Sequence, residues 1–369
     1  MKSIRLQMLN GKLPKECFLC EKSNAPVVLK DEYNLRYKEE IQSILATTAA
    51  DGSTQHKLRY LDYRSNLCNL SCRMCGPYAS NTFQKIINSA DDEHVKFVFG
   101  PNAKKDPLVI TKKFKDFYSN ELTNLLENEN ITDIYFAGGE PLIEPNHLVF
   151  LDSAKKFQEA KNISIAYNSN LAFSQKILEK WLPYAQEFKL VSVMASIDGV
   201  GDIYEYVRHG GDFNIFDSNL DYLIKNSPSN FLARLDITLN SLNVFFLEDF
   251  ARYCLAKKIP AYSRLMVSGE HLSILKPESV PQDIRLEILN RWNIFFKNLT
   301  DQEKNLLHFL NAGTELFLKA DATDSSNSES QIKQLEHFES IFSQSNHSYL
   351  NLLKKDSIGN KWYQRMVKG

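Results

Sequence analysis

From residue 131 to residue 267 the sequence alternates between two hydrophobic rhythms, and that alternation most restricts the fold. "ITDIYFA" (131–137), "ISIAYNS" (163–169), "KLVSVMASI" (189–197), "LARLDITLN" (232–240) and "AYSRLMV" (261–267) are short runs rich in β-branched and aromatic residues, the mark of strands. Between them, "HLVFLDSAKKFQEA" (147–160), "SQKILEKWL" (174–182), residues 216–225 and "FFLEDFARYCLAKK" (245–258) space their apolar side chains as helices do. "KLRYLDYR" (57–64) adds an earlier strand by its alternation of apolar and polar residues. Strands separated by helix-length connections imply parallel βαβ units, because parallel neighbours require a crossover. Right-handed crossovers wind such units into a barrel, a partial barrel or a doubly wound sheet.

Outside this region the pattern changes. "LRYKEEIQSILATT" (35–48) reads as a helix, residues 89–113 as an irregular insertion with mixed charges and two prolines, and the stretch from Phe114 to Leu126 as a helix. Beyond Lys276, "PQDIRLEILNRWNIFFKNL" and "QIKQLEHFESIFSQ" are helical, separated by the polar linker "DATDSSNSES" (321–330). The expected organisation is an N-terminal segment (1–50), an α/β core (51–275) and a helical C-terminal extension (276–369).

With 44 basic and 45 acidic residues the formal charge is −1, which disfavours a nucleic-acid partner. The first residues lack the apolar stretch of a signal peptide, and no run reaches the length of a membrane span. The chain therefore reads as cytoplasmic, where thiols stay reduced and clustered cysteines point to metal or catalysis rather than disulfides.

Three of the six cysteines, Cys68, Cys72 and Cys75, fall in "NLCNLSCRMCGP" directly after the first strand. Thiolates are soft ligands that select zinc or iron–sulfur clusters. Structural zinc asks for four ligands, commonly in two separated pairs. A C-x3-C-x2-C loop can instead hold three corners of a cubane and leave the fourth iron without a protein ligand. A mononuclear zinc site with a distant fourth ligand stays open. After the second strand, "AGGEP" supplies Gly138, Gly139, Glu140 and Pro141 at a carboxyl edge, where α/β folds build their sites. As residues alone these are also an ordinary strand-to-helix turn. Asn168 and Asn170 end the third strand, where either can bind a ligand or shape a turn. Asn240 and Asn243 stand similarly after the fifth.

The cysteine loop and GGEP, in this order and about one βα unit apart, resemble the radical S-adenosylmethionine (radical SAM) enzymes. "SIDG", with Ser196, Asp198 and Gly199, followed by Arg208, resembles the relatives that carry a SPASM or twitch extension. The resemblance covers residues 55–270 and implies a partial (β/α)6 barrel of TIM-like kind. It implies a 4Fe–4S cluster on Cys68, Cys72 and Cys75, with S-adenosylmethionine chelating the open iron. Gly138, Gly139, Glu140 and Pro141 would hold the amino group of that cofactor, Ser196 its ribose and Arg208 its carboxylate, with Asn168 beside it. Reductive cleavage would then give a 5′-deoxyadenosyl radical that abstracts hydrogen from a substrate. The SPASM/twitch likeness leans toward a peptide or protein substrate, with a small metabolite or a nucleic acid as the alternative. An external one-electron donor such as flavodoxin or ferredoxin is implied. A non-catalytic iron–sulfur or zinc protein is the rival reading.

Cys17 and Cys20 form a C-x2-C pair that resembles part of an auxiliary-cluster region, here placed before the core instead of after it. They are a possible second metal site that lacks two further ligands. Cys254 lies at helical spacing with Phe250 and Ala251 and reads as a core thiol.

Overall fold

The computed structural model describes residues 2–12, 39, 42–54, 60–77, 79–101, 103–104, 122–128, 130–145, 147–157, 160–265, 274–320, 328–342 and 347–368. The chain forms two compact units, Met1–Arg59 and Tyr60–Gly369. In the first, Lys2–Leu9 is helical (α1). Cys17 and Cys20 lie outside the described residues, as do residues 35–38, 40 and 41 of the helix expected over 35–48; residues 42–47 of it are helical.

The second unit is an α/β structure on six strands: β1 (Tyr60–Arg64), β2 (Asp133–Ala137), β3 (Ser164–Ser169), β4 (Leu190–Ser196), β5 (Phe231–Leu239) and β6 (Ala261–Leu265). Their spatial order is the order of the chain, and every neighbouring pair is parallel. A doubly wound sheet would reverse its strand order at the middle. This sheet advances one strand per crossover, as a partial barrel does.

The helices follow the same logic. After β1 come α2 (Asn81–Ser89), α3 (Asp92–Phe99) and α4 (Leu122–Asn128); α5 (His147–Phe157) follows β2 and α6 (Lys176–Ala185) follows β3. Between β4 and β5 lie α7 (Asp202–Val207) and α8 (Phe213–Asn226), and α9 (Leu247–Lys257) precedes β6. The extension adds α10 (Gln282–Lys297), α11 (Asp301–Leu306), α12 (His308–Leu318), α13 (Ser328–Ile341), α14 (Tyr349–Leu353) and α15 (Ser357–Lys368). Helix α3 replaces part of the irregular insertion expected over 89–113. Asp91 caps it by accepting from the Glu93 amide, Asp92 and Glu93 sit at the positive end of its dipole, and Gly100 at φ +84° ends it. None of the described helices is long and apolar enough to cross a membrane.

Period-two alternation gives the sheet two unlike faces. Phe136, Ile165, Tyr167, Val191, Val193, Leu235, Ile237 and Leu239 are buried on one. There Tyr167 stacks on Phe136 with ring centroids 5.0 Å apart and meets the edge of Trp181 from α6 at 5.2 Å. Its hydroxyl lies 2.9 Å from His147 Nε2 and accepts from Trp181 Nε1 at 3.4 Å, so the polar atoms of this aromatic group partner one another. The opposite face carries Asp62, Arg64, Tyr135, Asn168, Met194, Ser196, Arg234, Asp236, Thr238, Tyr262 and Arg264. All are in register across the six strands.

Candidate functional site

The loop carrying the three cysteines is gripped from several sides. Helix α2 begins immediately after it, and its first residues reach back. Asn81 Oδ1 accepts from the Cys68 amide at 3.0 Å, and Thr82 Oγ1 donates to the Cys68 carbonyl at 2.5 Å. Ser80 caps α2 by accepting from the Phe83 amide while donating to the Leu70 carbonyl. Beyond α7, the Ser71 amide bonds the His209 carbonyl and the Arg73 amide the Val207 carbonyl, at 3.0 and 2.8 Å.

The glycine turn after β2 nests on the same loop. The Gly139 amide donates to the Ala79 carbonyl and the Glu140 amide to the Leu67 carbonyl at 2.7 Å. Gly138 and Gly139 hold φ of +70° and +57°, and a Cβ on Gly139 would lie 2.4 Å from the Leu67 carbonyl oxygen. Both conditions demand glycine. Pro141 opens a 3-10 turn, Pro141–Ile143.

Glu140 is fully buried, and its carboxylate accepts from the Leu142 amide at 3.2 Å, the Ser169 hydroxyl at 2.9 Å and the Asn170 amide at 2.5 Å. It thus fastens the end of β2 to the end of β3. Burial raises its pKa to about 7 against the pull of those donors. Asn170 continues the chain of contacts, its Nδ2 lying 3.0 Å from Asn69 Oδ1 and 3.8 Å from Cys68 Sγ. Asn168 stands on the open face with its Oδ1 buried and without a partner.

After β4, Asp198 holds φ +60°, a conformation that short polar side chains tolerate. Its Oδ1 accepts from the Thr238 amide, and its Oδ2 pairs with Arg208 Nη2 at 2.5 Å. Burial raises the Asp198 pKa, opposed by Arg208. Asn243 Nδ2 donates to the carbonyls of Asp198 and Thr238, and Asn240 Nδ2 to that of Thr238. Both asparagines therefore brace the turn after β5. Ser196 ends β4 beside Asp236 of β5.

Arg208 is the meeting point. Its Nη1 lies 3.8 Å from Cys72 Sγ while Nη2 holds Asp198; its Nε is buried without a partner. Burial works against its charge, but Asp198 and the thiols of Cys72 and Cys75 more than offset that and raise its pKa. In return it favours the thiolate at all three cysteines. Burial still pushes the Cys68 thiol up to about 12. Cys72 accepts a hydrogen bond from Cys75, which lowers its own pKa and raises that of Cys75. None of the three is in a disulfide. Among the described residues no group of three His, Cys, Asp or Glu side chains is drawn together around a single ion. Cys254 is buried on α9.

Two features are not evident from the sequence. Arg73, between Cys72 and Cys75, is fully buried with its guanidinium carbon 4.1 Å from the Tyr206 ring centroid and 4.3 Å from that of Phe342. Phe342 follows α13, so the C-terminal extension touches the cysteine loop itself. Tyr349 of α14 likewise donates from its hydroxyl to the Ser241 carbonyl after β5. The second is the cluster of Arg234, Asp236 and Arg264 on the open face of β5 and β6.

No family model matches the chain. The uncharacterized protein MJ0907 of Methanocaldococcus jannaschii is 27% identical over 261 residues, covering 69% of this chain and 79% of its own length. Two crystal structures of SuiB from Streptococcus suis, one bound to S-adenosylmethionine, are similar to this chain with a TM-score of 0.40 and 11% identity. They cover 69% of this chain. The chain spans about half the length of those solved chains, 51% and 50%.

Proposed function

We propose that this chain is a radical S-adenosylmethionine enzyme in which Cys68, Cys72 and Cys75 hold a 4Fe–4S cluster. One observation supports this above the others: a single guanidinium, Arg208, stands between the Cys72 thiol and Asp198. The cysteine loop after β1 and the Asp-Gly turn after β4 therefore meet at one charge, at the edge where parallel sheets place their ligands. The donor set fits the cluster, being three unbridged thiols on one loop whose anionic form a buried cation favours. Two buried polar atoms without partners, Asn168 Oδ1 and Arg208 Nε, fit a polar cofactor beside it.

When bound, the cluster and S-adenosylmethionine supply a one-electron reductive cleavage whose 5′-deoxyadenosyl radical can take hydrogen from a substrate. The chain's own residues prepare the place. Arg208 stabilises negative charge on the thiols and offers its remaining donor to a cofactor carboxylate. Asn168 offers an acceptor on the open face, and Ser196 a hydroxyl one strand away. Glu140, with three donors from its own chain, sets the spacing of the β2 and β3 edges, while the turn Gly138–Pro141 presents its backbone to the amino group. Helices α13 and α14, packed on the loops after β1, β4 and β5, keep water from the edge. In this reading the substrate is a peptide or protein, and a flavodoxin or ferredoxin supplies the electron.

The test is anaerobic reconstitution with iron and sulfide, reduction with S-adenosylmethionine, and assay for 5′-deoxyadenosine. The parent protein should form it and Cys72→Ala should not. A parent protein that holds a cluster yet forms none would overturn the assignment in favour of an electron carrier or sensor.

A further inference from the structure

The open face of the sheet carries charge that the cysteine loop and its partners do not use. Asp236 of β5 is only 6% exposed, and two guanidiniums converge on it. Arg234 approaches edge-on, with Nε 2.8 Å from Oδ1 and Nη2 3.3 Å from Oδ2; Arg264 Nη2 lies 3.3 Å from Oδ2. One carboxylate against two cations leaves a positive charge in excess. Among the described residues, the other ionic groups nearby do not absorb it. Asp198 is taken by Arg208, Asp62 by Arg64 at 3.1 Å, and Asp133 stands at the opposite, amino end of β2 and accepts from Thr132.

Geometry aims this excess toward the candidate site. Thr238 and Arg264 are register partners at the carboxyl ends of β5 and β6, and Asp236 is the partner of Ser196. The Arg264 side chain is 49% exposed and makes no other ion pair among the described residues. Arg234 is held by Asp236 on one side and lies 4.4 Å over the Tyr262 ring, which itself stacks on Phe309 of α12 at 4.3 Å. A pinned guanidinium beside a reaching one, with a hydroxyl from Thr238 or Ser196 alongside, suits an oxyanion, because planar forks match carboxylate and phosphate oxygens in pairs.

We propose that Arg234 and Arg264 form an oxyanion subsite on the open face of β5 and β6 that docks a carboxylate or phosphate of the substrate. Its role toward substrate rests on the function proposed above, since the cofactor end of the same edge is the cysteine loop. The subsite fixes one end of the substrate on β5 and β6, so that the reacting carbon faces the loop after β1. Asp236 orients both arginines and moderates their pull.

The test uses the full chain as purified, without iron, reductant or S-adenosylmethionine, so its result is independent of 5′-deoxyadenosine formation. Isothermal titration at low salt with inorganic phosphate and, separately, with succinate should show one site. Arg264→Gln and Arg234→Gln should each weaken it by about tenfold or more, the cost of one charge-assisted contact. Asp236→Asn should tighten it, an effect that a purely structural ion pair would not produce. Preference for phosphate assigns a phosphorylated substrate, and preference for succinate a carboxylate-bearing one. Absence of binding by the parent protein, or equal binding by parent and Arg264→Gln, would overturn the subsite.

Discussion

Replacing Gly139 by alanine tests whether the glycine turn and the cysteine loop are one rigid unit. Two costs add. Holding an L-residue at φ +57° costs about 1–2 kcal/mol. The new Cβ also lies 2.4 Å from the Leu67 carbonyl oxygen and 3.0 Å from the Leu67 nitrogen and carbon, all backbone, so no side chain can swing away. Forcing such an overlap apart adds about 1–3 kcal/mol, so the total is about 2–5 kcal/mol. Gly210 is the matching control. It sits at φ +88° beside the same loop, but its Cβ would meet nothing nearer than Leu70 Cδ2 at 3.8 Å. Gly210→Ala should therefore lose only the conformational part, about 1–2 kcal/mol. Urea unfolding read from the midpoint, with unchanged slope, measures both. Equal losses in the two variants would refute the reasoning, because the loop would then yield freely and its nesting on the turn would not set the positions of Cys68, Cys72 and Cys75.

Burial holds the His147 pKa down to about 3, against 6.5 when exposed. The folded state then binds fewer protons than the unfolded chain between those values, so stability falls as pH drops below about 6.5, by up to ~1.4 kcal/mol per unit. His147→Gln, which still reaches the Tyr167 hydroxyl, should remove this dependence; a stability gap between parent and variant that stays constant from pH 7 to pH 5 would contradict it. Arg73 presents its Nε and Nη1 to no acceptor, and among the described residues the rings around it and the more distant Glu339 offset its desolvation. Arg73→Met, of similar volume, should shift unfolding stability by less than about 1 kcal/mol, whereas Arg73→Ala, which empties the cage, should cost about 2–5 kcal/mol. A large loss with Met would mean that the charge, and not the packing, joins α13 to the cysteine loop.

The strands were legible because each alternates or runs apolar between turn residues, and the observed bounds differ from the reading by a few residues. The cysteine triplet and the glycine turn announced themselves through local spacing, and the structure explains why they occur together: one is the bed of the other. Helix α3 was hidden because "DDEHVKFVF" looks like a charged insertion until its acidic first turn is read as a capping signal. Of the asparagines at the end of β3, strand pairing puts Asn168 on the open side and side-chain contact puts Asn170 against Cys68, neither of which spacing alone reveals. Arg234, Asp236 and Arg264 were invisible for a deeper reason. In "LARLDITLN" and "AYSRLMV" they look like the wet half of an amphipathic strand, and only pairing across β5 and β6 shows two cations meeting one anion. Arg73 could not be placed at all from sequence, since its partners lie far along the chain.

That last contact bears on how the protein is made. Arg73 is sealed by Phe342, so the loop between Cys72 and Cys75 cannot reach its final packing while the downstream helices are still inside the ribosome. During synthesis the sheet can assemble strand by strand from local crossovers, but this corner must wait for a partner of very high sequence separation, the kind of closure that comes late. For the cluster proposed above, iron delivered early would meet an unfinished nest, which would put loading after these helices have emerged.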